Sequence, residues 1–318
     1  MELYPLKFTP KLVEKVWGGH WLAEHLGRKA SDEGELLGES WETFSGSTVT
    51  NGSLAGRKLG DLYQENGPAL AGEIARKYPQ FPLLVKFIDA RENLSVQVHP
   101  NDALAQKLEN YRFGKSEMWY IVQAEAGARI LYGLSDKATS LDQIGAAFKS
   151  EAILPYLKSM PVQAGDIVYL PSGTVHALCE GIVVYELQQE SDITYRLYDW
   201  GRQGREMHYE KGLQAINLEA RNLTISHPTP AAQGSVTLVE CPYFSCELLE
   251  ISDQLERPAN NQSFTLLTTL SGAGRIVSPT NSFSPETLGA GDSLLISASL
   301  PYLLKADQPL RILAGQAR

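Results

Sequence analysis

The chain has 318 residues, of which 43% are hydrophobic and 20% charged, and its formal net charge is -9 at pH 7. These values exclude a disordered chain and predict a globular protein with a sizeable core and two domains. The basic residues are scattered, which argues against binding to nucleic acid or to an anionic membrane surface. The first residues lack the apolar core of a signal peptide, and no run of about twenty apolar residues is present. We therefore expect a cytoplasmic protein.

Segments typical of short strands dominate the sequence after a mixed first third, and helical segments are few. In chain order we predict a helix at 69–77, strands at 83–88 and 94–98, a helix at 102–110, strands at 117–122 and 129–132, a helix at 141–149, strands at 167–170, 183–188 and 194–197, and a helix at 209–218. Asn101 (or Asp102) and Ser140 are placed as helix N-caps. Many short strands, rich in β-branched and aromatic residues, predict a mainly β fold of the sandwich or jelly-roll type.

Two strand-like segments recur within the chain. Ala-Gly-Asp-Ile-Val-Tyr-Leu at 164–170 returns as Ala-Gly-Asp-Ser-Leu-Leu-Ile at 290–296, and 125–131 is similar to 271–277. Where the first copy has His176, the second has Tyr302, which is a poor metal ligand. A constant offset places three further residues opposite positions 97, 99 and 117, namely Tyr243, Ser245 and Ser263. We therefore predict a second barrel without a metal.

A domain boundary is expected in the stretch 227–234, which contains proline and glycine and has the composition of a linker. This boundary gives a first domain at 1–226 and a second domain at 227–318. The candidate metal ligands all lie in the first domain. The role of the second domain and the oligomeric state are left open by the sequence.

Several residues are expected to be structural. Cys179, Cys241 and Cys246 are an odd number without a Cys-x-x-Cys pair, so we predict buried free thiols rather than disulfides or a thiolate zinc site. Trp17 and Trp41 either line the pocket or pack in the core, and core packing is favoured. The two glycines that follow Trp17 permit a tight turn.

Residues that bind transition metals occur at or near predicted strands. Gln97 and His99 alternate along one strand, so their side chains project from the same face. Glu117 opens another strand, and His176 follows Pro171 in a loop that can aim its ring inward. Two imidazoles and a carboxylate, with an amide oxygen in reserve, suit a divalent transition metal with an open position for substrate. The other histidines are expected to be structural.

Longer strings in this part of the chain resemble the type I mannose-6-phosphate isomerase family of cupin jelly rolls. The matching strings are Val-Trp-Gly-Gly at 16–19, Gly-Glu-Ser-Trp-Glu at 38–42, Leu-Ser-Val-Gln-Val-His-Pro-Asn-Asp at 94–102, Lys-Ser-Glu-Met-Trp-Tyr at 115–120 and Ser-Asp-Ile-Thr-Tyr-Arg-Leu-Tyr-Asp at 191–199. The resemblance is to the short bacterial form, because the helical insertion of longer members is missing between the metal-binding strands.

This resemblance implies two cupin-type jelly-roll β-barrels with a few short helices in the N-terminal part. It implies zinc-dependent interconversion of mannose 6-phosphate and fructose 6-phosphate, with proton transfer between C1 and C2 through an enediol. One Zn²⁺ per chain would be bound by Gln97, His99, Glu117 and His176. Arg196 corresponds to the family's catalytic arginine, and a guanidinium in that place stabilises a developing oxyanion.

Two further side chains are candidates for catalysis. Lys115 lies two residues before the carboxylate ligand, and on a regular strand it would face a phosphate or sugar oxygen beside the metal. Asp192 shares a segment with Arg196 and can orient the guanidinium or move protons. The base stays open among Glu186, Asp192 and a metal-bound water. Glu186 and Gln188 alternate inward on one strand and line the pocket or are structural.

Other functions fit the same residues. A cupin metal site also suits iron-dependent dioxygen chemistry, although the amide and carboxylate ligands favour a redox-inert metal. A non-catalytic sugar-binding or regulatory cupin is another class. Co²⁺ or Mn²⁺ can replace Zn²⁺ at the same ligands. Metal content and an isomerisation assay together separate these alternatives.

Overall fold

The computed structural model of the chain describes residues 3–29, 36–148, 150–220, 223–229 and 233–318. Within these ranges strands outnumber helices, and the strands form three antiparallel sheets. The predicted mainly β fold class is confirmed. No helix in the described ranges has the length and apolar character needed to cross a bilayer. All three cysteines are free and buried, as predicted.

The strands are β1 (Leu6–Thr9), β2 (Lys11–Gly19), β3 (Leu37–Thr43), β4 (Thr48–Val49), β5 (Leu83–Ala90), β6 (Val96–Val98), β7 (Glu117–Ala124), β8 (Arg129–Leu134), β9 (Leu157–Pro161), β10 (Ile167–Leu170), β11 (His176–Leu178), β12 (Ile182–Gln189), β13 (Tyr195–Tyr198), β14 (Ile225–Ser226), β15 (Gly234–Glu240), β16 (Phe244–Ile251), β17 (Gln254–Arg257), β18 (Thr265–Val277), β19 (Glu286–Gly289), β20 (Ser293–Ile296) and β21 (Tyr302–Ala317). The helices are α1 (Trp21–Leu26), α2 (Leu59–Ala71), α3 (Ile74–Lys77), α4 (Asp102–Glu109), α5 (Leu141–Ala147) and α6 (Tyr209–Ala215), with short 3₁₀ helices at Gly52–Leu54 and Glu151–Tyr156.

Two sheets pack face to face in the N-terminal part of the chain. The larger has the order β14-β10-β7-β12-β5-β3-β2, and the smaller has the order β13-β6-β11-β8-β9. Trp119 and Ile121 of the larger sheet share one buried cluster with Ile130 and Tyr132 of the smaller. The larger sheet also has a covered outer face, because Tyr185 and other outward side chains pack against the C-terminal sheet. Strands β5 and β12 are therefore buried on both faces, which explains their long apolar runs.

The third sheet has the order β15-β16-β21-β18-β20-β1-β4, with β17 added to β21 and β19 added to β18. It therefore contains the N-terminal strand β1, whose Leu6 lies opposite Leu295 of β20. The long strand β18 pairs with β20 in its first half and with β19 in its second half. The division at 226/227 stays a prediction. Strands β1 and β4 precede it in the sequence, yet both belong to the C-terminal sheet.

The helices agree with the sequence in part. The side chains of Asn101 and Ser140 accept hydrogen bonds from backbone amides of the first turns of α4 and α5, which confirms both N-caps. The helix predicted at 69–77 is wrong in its bounds, because α2 already begins at Leu59 and breaks at Gly72. Gly72 has a φ of 67°, and a Cβ there would lie 2.3 Å from the carbonyl oxygen of Asn261. Residue 149, the predicted end of the third helix, lies outside the described residues.

The repeated Ala-Gly-Asp segment forms the same turn in both halves. Asp166 accepts a hydrogen bond from the amide of Gln163 at 2.8 Å, and Asp292 accepts one from the amide of Gly289 at 2.9 Å. The glycine before each aspartate has a positive φ, 90° and 84° respectively, a conformation that favours glycine. The repeat is thus a structural turn rather than part of a binding site.

Strand register corrects the residues expected to correspond between the two halves. Glu117 lies opposite Leu170, and Thr265 lies opposite Ile296, the repeat counterpart of Leu170. Likewise Gln97 lies opposite His176, and Arg257 lies opposite Tyr302, the counterpart of His176. Thr265 therefore corresponds to Glu117, and Arg257 corresponds to Gln97. The counterparts expected from a constant offset, Ser263 and Tyr243, are therefore wrong. A constant offset fails because the loops between corresponding strands differ in length.

The two glycines after Trp17 do not form the expected turn, because β2 continues through both of them. A Cβ on Gly18 would lie 2.6 Å from the backbone nitrogen of Gly38, and one on Gly19 would lie 2.4 Å from a carboxylate oxygen of Asp89. That carboxylate accepts a hydrogen bond from the amide of Trp21 at 2.8 Å and so holds the start of α1. Glycine is therefore required at both positions, because the backbone of Gly38 and the carboxylate of Asp89 lie too close for a Cβ.

Candidate metal centre and adjoining pocket

The four predicted metal ligands come together between the two N-terminal sheets. Gln97 lies on β6, and His99 follows one residue after the end of that strand. His176 is the first residue of β11 and lies directly opposite Gln97. The prediction that His176 lies in a loop is wrong, since it pairs in a strand. Glu117 is the first residue of β7 and reaches the same point from the facing sheet.

The hydrogen bond made by Nδ1 identifies the tautomer of each histidine. Nδ1 of His99 lies 2.8 Å from the carbonyl oxygen of Ile193, and Nδ1 of His176 lies 3.0 Å from that of Thr174. A carbonyl oxygen only accepts, so each Nδ1 carries the proton and donates it. Nε2 of each ring therefore presents a lone pair to the cluster, which is the arrangement of a metal-binding histidine.

Glu117 adds a carboxylate to these two lone pairs. Its Oε1 lies 3.2 Å from Nε2 of His176, and its Oε2 lies 3.6 Å from Nε2 of His99. In the neutral rings neither Nε2 has a hydrogen to donate, and Oε1 has no hydrogen-bond donor among the described residues. A cation placed among these acceptor atoms would be attracted to all of them. The three side chains, whose ligand atoms all lie within 4.8 Å of one another, can hold a metal ion.

Gln97 presents its amide nitrogen, not its oxygen, to this cluster. Nε2 donates to Nε2 of His176 at 3.2 Å, while Oε1 accepts from the hydroxyl of Ser95 at 3.3 Å. An amide nitrogen has no lone pair available to a metal, so Gln97 becomes a ligand only when its amide group rotates by half a turn. Its place as the fourth ligand stays a prediction.

Lys115 places a buried ammonium among the ligand atoms. Its Nζ donates to Oε2 of Glu117 and lies 3.2 Å from Nε2 of His99. Burial lowers the pKa of His99 well below its ordinary value, and the charge of Lys115 adds to this effect. Burial alone would raise the pKa of Glu117, but Lys115 helps to hold it well below its ordinary value. Both side chains are therefore in the protonation state of a metal ligand.

A cavity of about 220 Å³ adjoins the metal ligands and is lined by charged side chains from both sheets. It includes all three predicted catalytic residues. The cations on its walls are Lys15, Lys86, Lys115, Arg196 and Arg205, and the anions are Glu39, Glu186 and Asp192. Cations beside carboxylates suit a polar ligand with an anionic group and several hydroxyls.

Arg196 lies on the edge strand β13, opposite Gln97. Its Nη1 donates to the carbonyl oxygen of Glu206 at 2.7 Å, whereas its Nε is buried without an acceptor among the described residues. Burial and the neighbouring Arg205 lower its pKa, although a guanidinium stays charged. The guanidinium of Arg196 therefore keeps N–H donors that can bind a ligand. Asp192 is exposed and makes no hydrogen bond to Arg196 in the described ranges, so its predicted orienting role has no support.

Glu186 extends into the cavity from the central strand β12. Its Oε2 accepts a hydrogen bond from Nε1 of Trp119 at 2.5 Å. Its Oε1 lies 3.1 Å from Nζ of Lys86 and 3.6 Å from Nζ of Lys115, but neither contact has hydrogen-bond geometry. Glu186 is therefore a buried carboxylate whose Oε1 is ion-paired with Lys86 but accepts no hydrogen bond from the described residues.

Four charged cavity residues, Lys15, Glu39, Lys86 and Arg205, are absent from the predicted site. Two signals in the sequence point to Lys86 and Glu39. Lys86 interrupts an apolar run in the buried strand Leu83–Ala90, and a charge inside a buried strand is rare unless it is paired. Glu39 lies in the Gly-Glu-Ser-Trp-Glu string, which carried the resemblance without an assigned role.

A larger cavity of about 480 Å³ lies at the other end of β7, beside the turn that follows Ala124. Its charged residues include Arg91, Glu125 and Glu180, which are exposed and of both signs. No member of the metal cluster lines it. Size alone therefore does not identify the functional pocket, and the charged cavity at the metal ligands is the better candidate.

Comparison with known proteins agrees with this geometry. A model of the family described as phosphomannose isomerase type I, catalytic domain, matches residues 5–123. Mannose-6-phosphate isomerase ManA of Bacillus subtilis is 36% identical over 289 residues, which cover 87% of this chain and 89% of that protein. The chain belongs to the type I phosphomannose isomerase family. The predicted enzyme class, an aldose–ketose isomerase, is thereby confirmed.

Two further relatives extend the similarity over almost the whole chain. Mannose-6-phosphate isomerase of Streptococcus mutans is 34% identical over 327 aligned residues, covering 98% of each protein. The crystal structure of the mannose 6-phosphate isomerase of Bacillus subtilis matches with a TM-score of 0.86 at 31% identity, covering 98% of this chain and 99% of that one. The similarity to phosphomannose isomerases thus includes the C-terminal sheet as well as the candidate metal centre.

Proposed function

We propose that this member of the phosphomannose isomerase family interconverts mannose 6-phosphate and fructose 6-phosphate with one zinc ion per chain. The observation that carries the proposal is the convergence of two imidazole lone pairs and a buried carboxylate beside a charged cavity. Relatives that are about one third identical over most of their length are named mannose-6-phosphate isomerase. The cytoplasmic location stays a prediction.

His99, Glu117 and His176 would hold the zinc ion, with Gln97 as a fourth ligand after rotation of its amide. Neutral imidazoles and carboxylate oxygens are the ligands of catalytic zinc sites, and Co²⁺ or Mn²⁺ accepts the same set. When bound, the ion supplies Lewis acidity toward an oxygen of the substrate.

The proposed reaction moves two protons. In the aldose-to-ketose direction C2 loses a proton and C1 gains one, while O2 gives up its hydroxyl proton and O1 takes one. The intermediate is an enediol, and negative charge develops on its oxygens as it forms. The protein must therefore offer a base near C1 and C2 and hydrogen-bond donors near O1 and O2.

We assign the base to Glu186. Oε1 accepts no hydrogen bond from the described residues, which supports this assignment because a base must be able to accept a proton. The ammonium groups of Lys86 and Lys115 lie 3.1 Å and 3.6 Å from this oxygen. Asp192, the other carboxylate considered, is exposed and lies farther out at the cavity rim.

Arg196 and Lys115 would act on the substrate oxygens. The unpaired Nε of Arg196 and its fixed charge favour stabilisation of the developing oxyanion. Lys115 lies between Glu186 and the metal ligands, so its ammonium can donate to a sugar oxygen beside them. Asp192 is retained as a group that exchanges protons with water at the rim.

The test compares turnover of mannose 6-phosphate with two other readouts. Zinc-loaded protein is assayed with mannose 6-phosphate and with unphosphorylated mannose, and iron-loaded protein is assayed for oxygen uptake. We expect isomerisation of mannose 6-phosphate and no oxygen uptake. Binding of mannose 6-phosphate without conversion would contradict the proposal and favour a sugar-binding cupin, and oxygen uptake would favour a dioxygenase.

A further inference from the structure

Four alternating charges cross the larger N-terminal sheet and end at the proposed base. Lys15, Glu39, Lys86 and Glu186 lie on four successive neighbouring strands, β2, β3, β5 and β12. Nζ of Lys15 lies 3.2 Å from Oε1 of Glu39, and Nζ of Lys86 lies 3.5 Å from Oε2 of Glu39 and 3.1 Å from Oε1 of Glu186. We call these four side chains the charge row. All but Lys15 are buried.

Glu39 is held firmly within the charge row. Its Oε2 accepts a hydrogen bond from Nε1 of Trp41 at 2.7 Å. A Cβ on the preceding Gly38 would lie 2.5 Å from Cβ of Lys15 and 2.8 Å from the ring of Trp17, so glycine is required for this packing. Burial alone would raise the pKa of Glu39, but Lys86 and Lys15 lower it to about 2. Glu39 is therefore a fixed negative charge behind Lys86.

Lys86 lies between two carboxylates that attract it in opposite directions. Its Nζ lies nearer to Oε1 of Glu186, at 3.1 Å, than to Oε2 of Glu39, at 3.5 Å, but the shorter contact is an ion pair without the angles of a hydrogen bond. A buried ammonium with only one carboxylate partner would form a short charge-assisted hydrogen bond to it. That bond would occupy the lone pair that a base needs.

We propose that Glu39 is a positioning residue that acts through Lys86 to keep Oε1 of Glu186 free for the substrate proton. The inference rests on the proposed role of Glu186 as the base. It gives a role to the Gly-Glu-Ser-Trp-Glu string at 38–42, whose Glu39 lines the cavity and accepts a hydrogen bond from Nε1 of Trp41. Glu42 lies on the opposite side, where it pairs with Arg28.

The first test is the kinetics of Glu39→Gln, in which Lys86 is released toward Glu186. We expect kcat to fall about tenfold to a hundredfold, with KM changed by less than about threefold and bound zinc unchanged. Glu42→Gln is the matched control, since it makes the same substitution at a buried, ion-paired position of the same strand outside the cavity. An unchanged kcat in Glu39→Gln, or an equal loss in Glu42→Gln, would overturn the inference.

The second test is a double-mutant cycle with Lys86→Met. If Glu39 acts only through Lys86, Glu39→Gln changes kcat in the wild-type background but not in the Lys86→Met background. A purely structural role for Glu39 would instead lower stability and kcat in both backgrounds. Losses that multiply in the double variant would therefore contradict a role through Lys86.

The third test does not depend on turnover. Crystal structures of the zinc-loaded wild type and of Glu39→Gln should differ at Lys86, whose Nζ should form a hydrogen bond with Oε1 of Glu186 only in the variant. An unmoved Lys86 would overturn the inference even if the enzyme is active. A wild type that does not convert mannose 6-phosphate would contradict the proposed function, and the position of Lys86 would still decide the inference about Glu39.

Discussion

Nε2 of His176 lies 3.2 Å from Oε1 of Glu117 across the gap between the two N-terminal sheets. In the neutral ring, the tautomer with Nδ1–H donating to the carbonyl oxygen of Thr174 leaves no hydrogen between these two atoms. Both sheets therefore contribute to one ligand set, and a metal ion held there would link them. This ligand set lies beside the cavity that is lined by Glu186, Arg196 and Lys115.

Glu186→Gln should abolish most of the activity, because the amide keeps the contact with Trp119 but cannot accept a proton from carbon. We expect kcat to fall by a factor of about a hundred to ten thousand, the usual contribution of a general base. Zinc content and KM should change little. Steady-state kinetics with metal analysis checks this, and a kcat within about threefold of wild type would exclude Glu186 as the base.

Arg196→Ala should reduce turnover more than substrate capture, because a guanidinium interacts most strongly with charge that develops in the transition state. We expect kcat to fall about a hundredfold to a thousandfold while zinc stays bound. Arg196→Lys should restore little, since an ammonium lacks the planar fork. Arg275→Ala, at an exposed position of the C-terminal sheet, serves as the control. If Arg196→Ala raised KM and left kcat unchanged, Arg196 would bind the phosphate group and its catalytic role would be wrong.

Local features of this fold can be predicted from the sequence. The N-caps Asn101 and Ser140 and most of the central strands follow from residue type and spacing. The alternation of Gln97 and His99 indicated a shared face, and their convergence on His176 followed from the resemblance. These features depend on neighbours in sequence or on a known motif.

Other features depend on contacts between distant strands and were not predictable from sequence. The facing position of Glu117, the break at Gly72 and the C-terminal pairing of β1 are set by tertiary packing. The charge row joins four strands that are separated in sequence, so no local pattern reveals which carboxylate faces Lys86. Only the presence of a lysine in a buried strand signalled that a partner was required.

Removal of the metal should destabilise the protein, because the ligand set exists only in the folded state. Ligand at a hundred times its Kd contributes about 2.7 kcal/mol, so chelation should lower Tm by roughly 5 °C. His99→Ala should lose metal and activity together, whereas His227→Ala, at a half-exposed histidine, should keep both. Calorimetry and metal analysis check this. An unchanged Tm in a verified metal-free sample would contradict a site built into the fold.

Glu190 should make stability depend on pH. Burial raises its pKa to about 7 from 4.5, so the folded state binds the proton more tightly than the unfolded state. Its favourable contribution is complete below pH 4.5 and is lost as pH rises through 7. Glu190→Gln keeps an acceptor for the amide of Ser45 and should raise the free energy of unfolding at pH 8 by on the order of 2 kcal/mol. Denaturation at pH 5 and pH 8 checks this, since the gain should be much smaller at pH 5.

The central claim is that one zinc ion, held by His99, Glu117 and His176, supports isomerisation of mannose 6-phosphate. The most direct measurement is a titration of verified metal-free protein with Zn²⁺, followed by a coupled assay for fructose 6-phosphate. Activity should be absent without metal, rise in proportion to bound zinc and reach its maximum at one ion per chain. Full activity in the metal-free protein, or a maximum only at two ions per chain, would contradict the account.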